Sequence, residues 1–232
     1  MRYLMFSVLT AALLTSAAAQ AQPADSAELY HAHFAKAAPG KLNDLIDAYL
    51  TAPAPAGEQK PIILRHREGD DWDLLVLTPY GKAATTVSAA PPPADVLASY
   101  AKVRAASERH TDSFVSGPAW SDAQKAFTGE GVYVVGVYRS ANGHRDQLTA
   151  TLGKIAAADP PGRTLTLRHV EGGPFDIIQI THYDSWNDID AQSPAAADRM
   201  RAQGFATPAA ASLELRQHMA EHHDTICIRV TK

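Results

Sequence analysis

The feature that most constrains this chain is a repeat within it. Leu64-Arg65-His66-Arg67-Glu68-Gly69-Asp70-Asp71-Trp72-Asp73-Leu74-Leu75-Val76-Leu77-Thr78-Pro79-Tyr80 aligns without a gap on Leu167-Arg168-His169-Val170-Glu171-Gly172-Gly173-Pro174-Phe175-Asp176-Ile177-Ile178-Gln179-Ile180-Thr181-His182-Tyr183, with eight of seventeen positions identical. The same offset of 103 residues continues upstream, where Tyr30, Ala38, Gly40 and Leu45 fall opposite Tyr133, Ala141, Gly143 and Leu148. A register held over this length means that one supersecondary unit is used twice, so both copies must fold alike. Beyond Tyr80 the alignment needs an insertion of ten residues in the second copy, which sets Glu108-Arg109-His110 opposite Glu221-His222-His223.

Within each copy the local signals alternate. Leu29 to Ala35 and Val132 to Tyr138 are short runs of aromatic and apolar residues that read as strands, ended by Pro39-Gly40 and Asn142-Gly143. Leu42, Leu45, Ile46 and Tyr49, and Leu148, Leu152 and Ile155, then recur at helical spacing until the proline-rich breaks at Pro53-Ala54-Pro55 and Pro160-Pro161-Gly162. Ile62 to Glu68 and Trp72 to Thr78 read as a hairpin, repeated around Gly172-Gly173-Pro174. Helical stretches follow at Ala94 to Arg109, and at Ala195 to Arg201 and Ala209 to His222. A last strand is clear at Thr225 to Val230, with Asp112 to Val115 as its poorer counterpart.

Strand, helix, strand, strand, helix, strand is the order of a ferredoxin-like unit, whose sheet leaves one face bare until a second sheet covers it. With this order and the Glu-Gly-x-x-(Trp/Phe)-Asp hairpin in both copies, the chain resembles the dimeric α/β-barrel superfamily, here as two tandem units in one chain. The expected fold is therefore α+β, βαββαβ twice, forming an intrachain barrel: residues 22–117 and 132–232 as units, 118–131 as a linker. The superfamily includes cofactor-free monooxygenases, EthD-like and stress-responsive proteins, and haem enzymes. The resemblance thus implies a small, partly apolar molecule bound between the sheets, with cofactor-free oxygenation or haem chemistry as the enzymatic options and a non-catalytic binding or structural module as the third.

The first twenty-one residues read separately, as a secretory signal. Arg2 precedes the apolar run Leu4 to Leu14, and Ala17-Ala18-Ala19-Gln20-Ala21 offers a cleavage site before Gln22, which predicts a periplasmic or secreted mature chain. The net charge of −4 is interspersed, with no basic patch to attract nucleic acid and no Lys/Arg cluster for an anionic membrane. Homo-oligomerisation stays open. Cys227, the only cysteine, lies in an apolar β-branched run and reads as a buried hydrophobe. There is no G-x-G-x-x-G, P-loop or G-x-S-x-G.

The candidate chemistry comes mostly from the repeat. His66 with Glu68, and His169 with Glu171, are two apart on a strand and share a face, as a base with its orienter or a ligand with its outer partner would. The duplicated Arg65 and Arg168 stand beside Asp73 and Asp176 as candidate cross-strand ion pairs, and also as catalytic candidates. Trp72, Phe175, Tyr80 and Tyr183 are the candidate ligand-binding aromatics. His31 and His33 occur only in the first copy, on one strand face, and with His66 form the candidate site for a transition metal or haem. His218-x-x-Glu221-His222 has the inverted-zincin pattern, but a chain this short lacks room for the downstream acidic ligand of that family.

Overall fold

The computed structural model describes residues 27–53, 59–81, 93–189 and 194–231; the signal-like segment lies outside them. Among the described residues no helix is long and apolar enough to cross a membrane. The strands are β1 Glu28–Ala37, β2 Ile62–Glu68, β3 Leu74–Gly81, β4 Ser107–Gly117, β5 Val132–Ser140, β6 Thr164–Gly172, β7 Ile177–Tyr183 and β8 Met219–Arg229. They close into one antiparallel barrel in the order β1-β3-β2-β8-β5-β7-β6-β4. Each half contributes four neighbouring strands, and the halves meet edge to edge at two seams, β2 with β8 and β4 with β6. Pairing at both edges leaves the barrel without an open ladder.

Period-two alternation sorts the residues. On β1, Tyr30, Ala32 and Phe34 enter the barrel core, with Leu75, Leu77, Tyr133, Val135, Leu167, Ile178 and Cys227. Ala35 and Ala37 turn outward onto the helices α1 Leu42–Leu50 and α2 Ala94–Ala106. In the second half the covering helices are α4 Arg145–Ala158, α5 Pro194–Ala202 and α6 Pro208–His218. Cys227 is fully buried, and burial pushes its thiol well up, as a hydrophobic role requires.

The segment joining the halves closes one end of the barrel. It folds as the short helix α3 Trp120–Ala123 continued by a 3₁₀ turn, Gln124–Phe127, and its Trp120, Ala123, Ala126 and Phe127 belong to the same core as the strand interiors. Tyr30 donates its hydroxyl to the Pro118 carbonyl and Tyr133 donates to the Gly129 carbonyl at 2.9 Å. Trp120 N–H donates to Glu28 at 3.0 Å, and Arg229 donates to the Phe127 carbonyl.

Several expectations change. β4 starts at Ser107, where the sequence reads as helix, and β8 starts at Met219, so His218 ends a helix while Glu221 and His222 lie on a strand. That breaks the shared helical face an inverted zincin needs. Ala35 faces His110 across β1–β4 and Tyr138 faces His222 across β5–β8, so the C-terminal strands correspond at an offset of 112. The insertion is thus nine residues, not ten: Arg109 corresponds to Glu221, and Asp112 to Asp224.

Asp73 and Asp176 do not pair with Arg65 and Arg168. Arg65 lies opposite Leu74, and Arg168 is 3.8 Å from Asp146. The two aspartates instead anchor the exits of β1 and β5: Ala37 N–H donates to Asp73 and Ser140 N–H to Asp176, each at 2.8 Å. Ser140 Oγ adds a bond of 2.7 Å. Partial burial opposes ionisation of Asp176, but the Ser140 amide and hydroxyl, with Arg145, outweigh it and hold the carboxyl below its ordinary value of 3.8. A depressed carboxyl stabilises the fold above that ordinary value and loses its contribution as pH falls through the folded one. Asp176→Asn is therefore expected to cost about 1–2 kcal/mol at neutral pH, with the gap to the unsubstituted protein narrowing below pH 3.8. Urea denaturation across pH measures it, and a gap that widens on acidification would contradict this account.

Candidate functional site

The end of the barrel opposite the plug carries a pocket of about 330 Å³. Its apolar lining is Phe34 and Val137, which are the inward residues of β1 and β5, and Trp72, Pro174 and Phe175 from the two hairpins. Phe34 packs edge-on against Trp72 at 5.2 Å and against Phe175 at 5.8 Å. Trp72 and Phe175 are held there because the aspartate after each is fixed to the backbone, and because each hairpin tip is fixed across a seam. Asp70 N–H donates to Thr225 Oγ1 at 3.4 Å, and Gly173 N–H donates to Ser113 Oγ at 2.8 Å.

The pocket's rim is charged. Lys36 and Arg139 follow Phe34 and Val137 on the inner face, while β4 and β8 run past the core and present Arg109, Thr111, Glu221 and His223. Arg109 pairs with Asp71, and Arg139 with Glu221 at 2.5 Å. Glu221 also holds His223 at 3.0 Å, and Asp70 approaches the other ring nitrogen at 3.9 Å. The hydrogen bond to Glu221 raises the His223 pKa, and that bond with the Arg139 charge lowers the Glu221 carboxyl. A pocket of this kind can stack a flat apolar body on its aromatic floor and meet a polar or anionic group at its rim.

The residues singled out from sequence divide between three places. Trp72 and Phe175 line the pocket. Tyr80 and Tyr183 do not; Tyr80 lies on the outer face, its ring against His31 and Phe114. His66 and His169 sit behind the floor, each 5.8 Å from Trp72 or Phe175, with Nε2 buried and without a hydrogen-bond partner among the described residues. Glu68 and Glu171 are exposed, as is Arg168, and none of these lines the pocket.

His31 and His33 lie on the outer face of β1. The structure does not bring His66 to them; it brings Asp112 of β4. Asp112 Oδ1 accepts from His31 Nε2 at 2.8 Å and from His33 Nδ1 at 2.6 Å, and Oδ2 lies 3.2 Å from His110 Nε2. Burial lowers the His33 pKa despite the carboxylate. Burial also works to raise Asp112, but the His33 hydrogen bond and the charges of His33, His31 and His110 hold it low. Sequence reasoning missed the rim residues of β4 and β8 and the partner Asp112. The signal that could have found them is the alternation His110, Asp112, Phe114 against Arg109, Thr111, Ser113, once a strand is allowed to be polar on both faces.

Neither a protein-family model nor a curated protein matches the sequence. Solved structures do. An anthrone oxidase-like protein superposes with a TM-score of 0.56 at 14% identity, over 90% of this chain and 93% of its own. A candidate monooxygenase from Lactobacillus acidophilus superposes with a TM-score of 0.56 at 11% identity, over 89% of this chain and 95% of its own. The chain has the fold of the dimeric α/β-barrel superfamily.

Replacing Glu221 by Gln removes the charge that favours protonated His223, so its imidazole should titrate at lower pH than in the unsubstituted protein. Histidine ring resonances followed by NMR give the midpoint, and one that stays or rises would contradict the rim network.

Proposed function

We propose that this protein binds a small, flat, partly apolar molecule bearing an anionic or hydrogen-bonding group, in the open end of its barrel. The observation that carries the reading is the one-sided arrangement of the pocket: an aromatic floor of Phe34, Trp72 and Phe175 under a polar rim in which Lys36, Arg109 and Arg139 stand among the carboxylates Asp70, Asp71 and Glu221. The names of two proteins with this fold, one anthrone oxidase-like and one a candidate monooxygenase, agree with a small organic occupant. The Glu221–His223 pair at the rim has the arrangement of an oriented base, which suits removal of a proton from an occupant rather than mere retention.

The matching hydrogen bonds of the halves support reading them as two ferredoxin-like units in tandem. Each aspartate after the hairpin holds the exit strand of its own half, and each hairpin tip donates to a hydroxyl of the other half. The Ala-Gln-Ala pattern before Gln22 supports export with loss of the first twenty-one residues. In that reading the pocket meets its ligand outside the cytoplasm.

The test is titration of the protein with polycyclic aromatic carboxylates and quinones, following tryptophan fluorescence and heat. One equivalent should bind. Arg139→Ala should weaken it about 10–100-fold, the loss expected of a hydrogen bond to a charged group, and Trp72→Leu should weaken it too while leaving the barrel filled. Binding that is absent, or that neither substitution affects, would overturn the reading.

A further inference from the structure

His31, His33 and Asp112 lie on the outer wall, on the opposite face of β1 and β4 from the pocket floor, and none of the three lines the pocket; their neighbour His110 borders both. The geometry points to a site for one divalent transition-metal ion, ligated by His31 Nε2, His33 Nδ1 and Asp112 Oδ1.

Three features carry this. The first is convergence. His31 and His33 are alternate residues of one strand, Asp112 lies directly across from His33 in the β1–β4 register, and the three ligand atoms lie within 4.8 Å of one another. Two imidazoles and a carboxylate are a donor set that imidazole-binding metals such as zinc, copper, nickel and iron accept. Around zinc, with bonds near 2.0–2.2 Å, ligand atoms stand about 3.4 Å apart. The two nitrogen–oxygen pairs, at 2.8 and 2.6 Å, need to open by less than about 1 Å to admit it.

The second is the outer partner. Ligation through His33 Nδ1 places its ring proton on Nε2, which is buried and has no hydrogen-bond partner among the described residues. The Tyr49 ring packs 5.9 Å away, and its hydroxyl is likewise buried and unpartnered. A ligating imidazole ordinarily gives its other N–H to such a group. His31 and Asp112 are partly exposed, so the ion has a way in, and His110, 3.2 Å from Asp112 Oδ2, steadies the carboxylate from its other oxygen.

The third is the comparison that the chain makes with itself. The second half keeps the acidic and stacking members, Asp224 with His222 at 3.6 Å, but has Val134 and Gly136 where the first has His31 and His33. There the space is taken by Tyr138, whose hydroxyl would lie 2.5 Å from a Cβ on Gly136 and whose ring stacks on His222. The first half has Ala35 at the position of Tyr138, and His33 stacks on His110 at 5.0 Å instead. The fold therefore fills this place without imidazoles in one half, and packing alone does not call for two in the other.

The test uses the full chain without an affinity tag, freed of metal by chelation, with zinc as the probe in calorimetry and thermal denaturation. One equivalent should bind and raise the melting temperature, as a ligand that prefers the native state must. Asp112→Asn and His31→Gln should each weaken zinc at least about 10–100-fold, the loss that even outer partners produce, while Asp224→Asn leaves it unchanged. Circular dichroism of each metal-free variant separates lost ligation from lost fold, and His31→Gln, at a part-exposed position, serves if Asp112→Asn unfolds. Absence of zinc binding to the unsubstituted protein, or equal loss in the Asp112 and Asp224 variants, would overturn the proposal. Because Arg139 and Trp72 play no part in this site, failure here leaves the pocket reading untouched, and the reverse holds.

Discussion

Everything else in the structure depends on how closely two hairpins approach the strands of the opposite half. At one seam a Cβ on Gly69 would lie 2.5 Å from the Asp224 carbonyl oxygen; at the other, a Cβ on Gly172 would lie 2.3 Å from that of Asp112. Both glycines also take positive φ, 122° and 107°, which side chains resist. Only glycine lets β2 and β6 turn at the point where they cross the partner half. With larger residues there the seams would part, leaving two open sheets whose inner faces carry Tyr30, Leu64, Leu75, Tyr133 and Ile178 into water.

Closure also fixes where function can sit. A closed barrel of eight strands is filled by its own side chains unless one end is kept open. Here the connecting segment fills one end with Trp120 and Phe127, tied down by the equivalent hydroxyls of Tyr30 and Tyr133. The other end stays free because β4 and β8 extend beyond the core and carry polar residues on both faces. The matched halves are then made unlike by substitution at matched positions. Phe34 against Val137 and Arg109 against Glu221 give the pocket a lopsided floor and rim, while His33 and Ala35 against Gly136 and Tyr138 give one outer wall a donor set that the other lacks.

How much of this could be read from the sequence follows from where burial imposes a pattern. The hairpins were legible because Leu64 and Leu75, and Leu167 and Ile178, pack inside and alternate accordingly. Ser107 to Arg109 and Met219 to His222 were not, since a strand solvated on both sides at a pocket rim has no apolar period and reads as a helix tail. The His31 and His33 face could be paired by alternation but not assigned, because alternation separates two faces without saying which is interior. Asp73 and Asp176 misled for a related reason: adjacency in a hairpin suggested arginine partners, whereas the backbone leaving β1 and β5 had the stronger claim on an acceptor.

The central claim is that the two halves form one barrel joined at both seams, and native-state hydrogen exchange addresses it most directly. The backbone amides of the β4–β6 and β2–β8 ladders should exchange only through global unfolding, with the same free energy as those of the β1–β3 ladder inside one half. Seam amides that exchange through a separate opening of lower free energy, while the β1–β3 amides stay protected, would mean that the halves are two sheets in contact and would contradict the account.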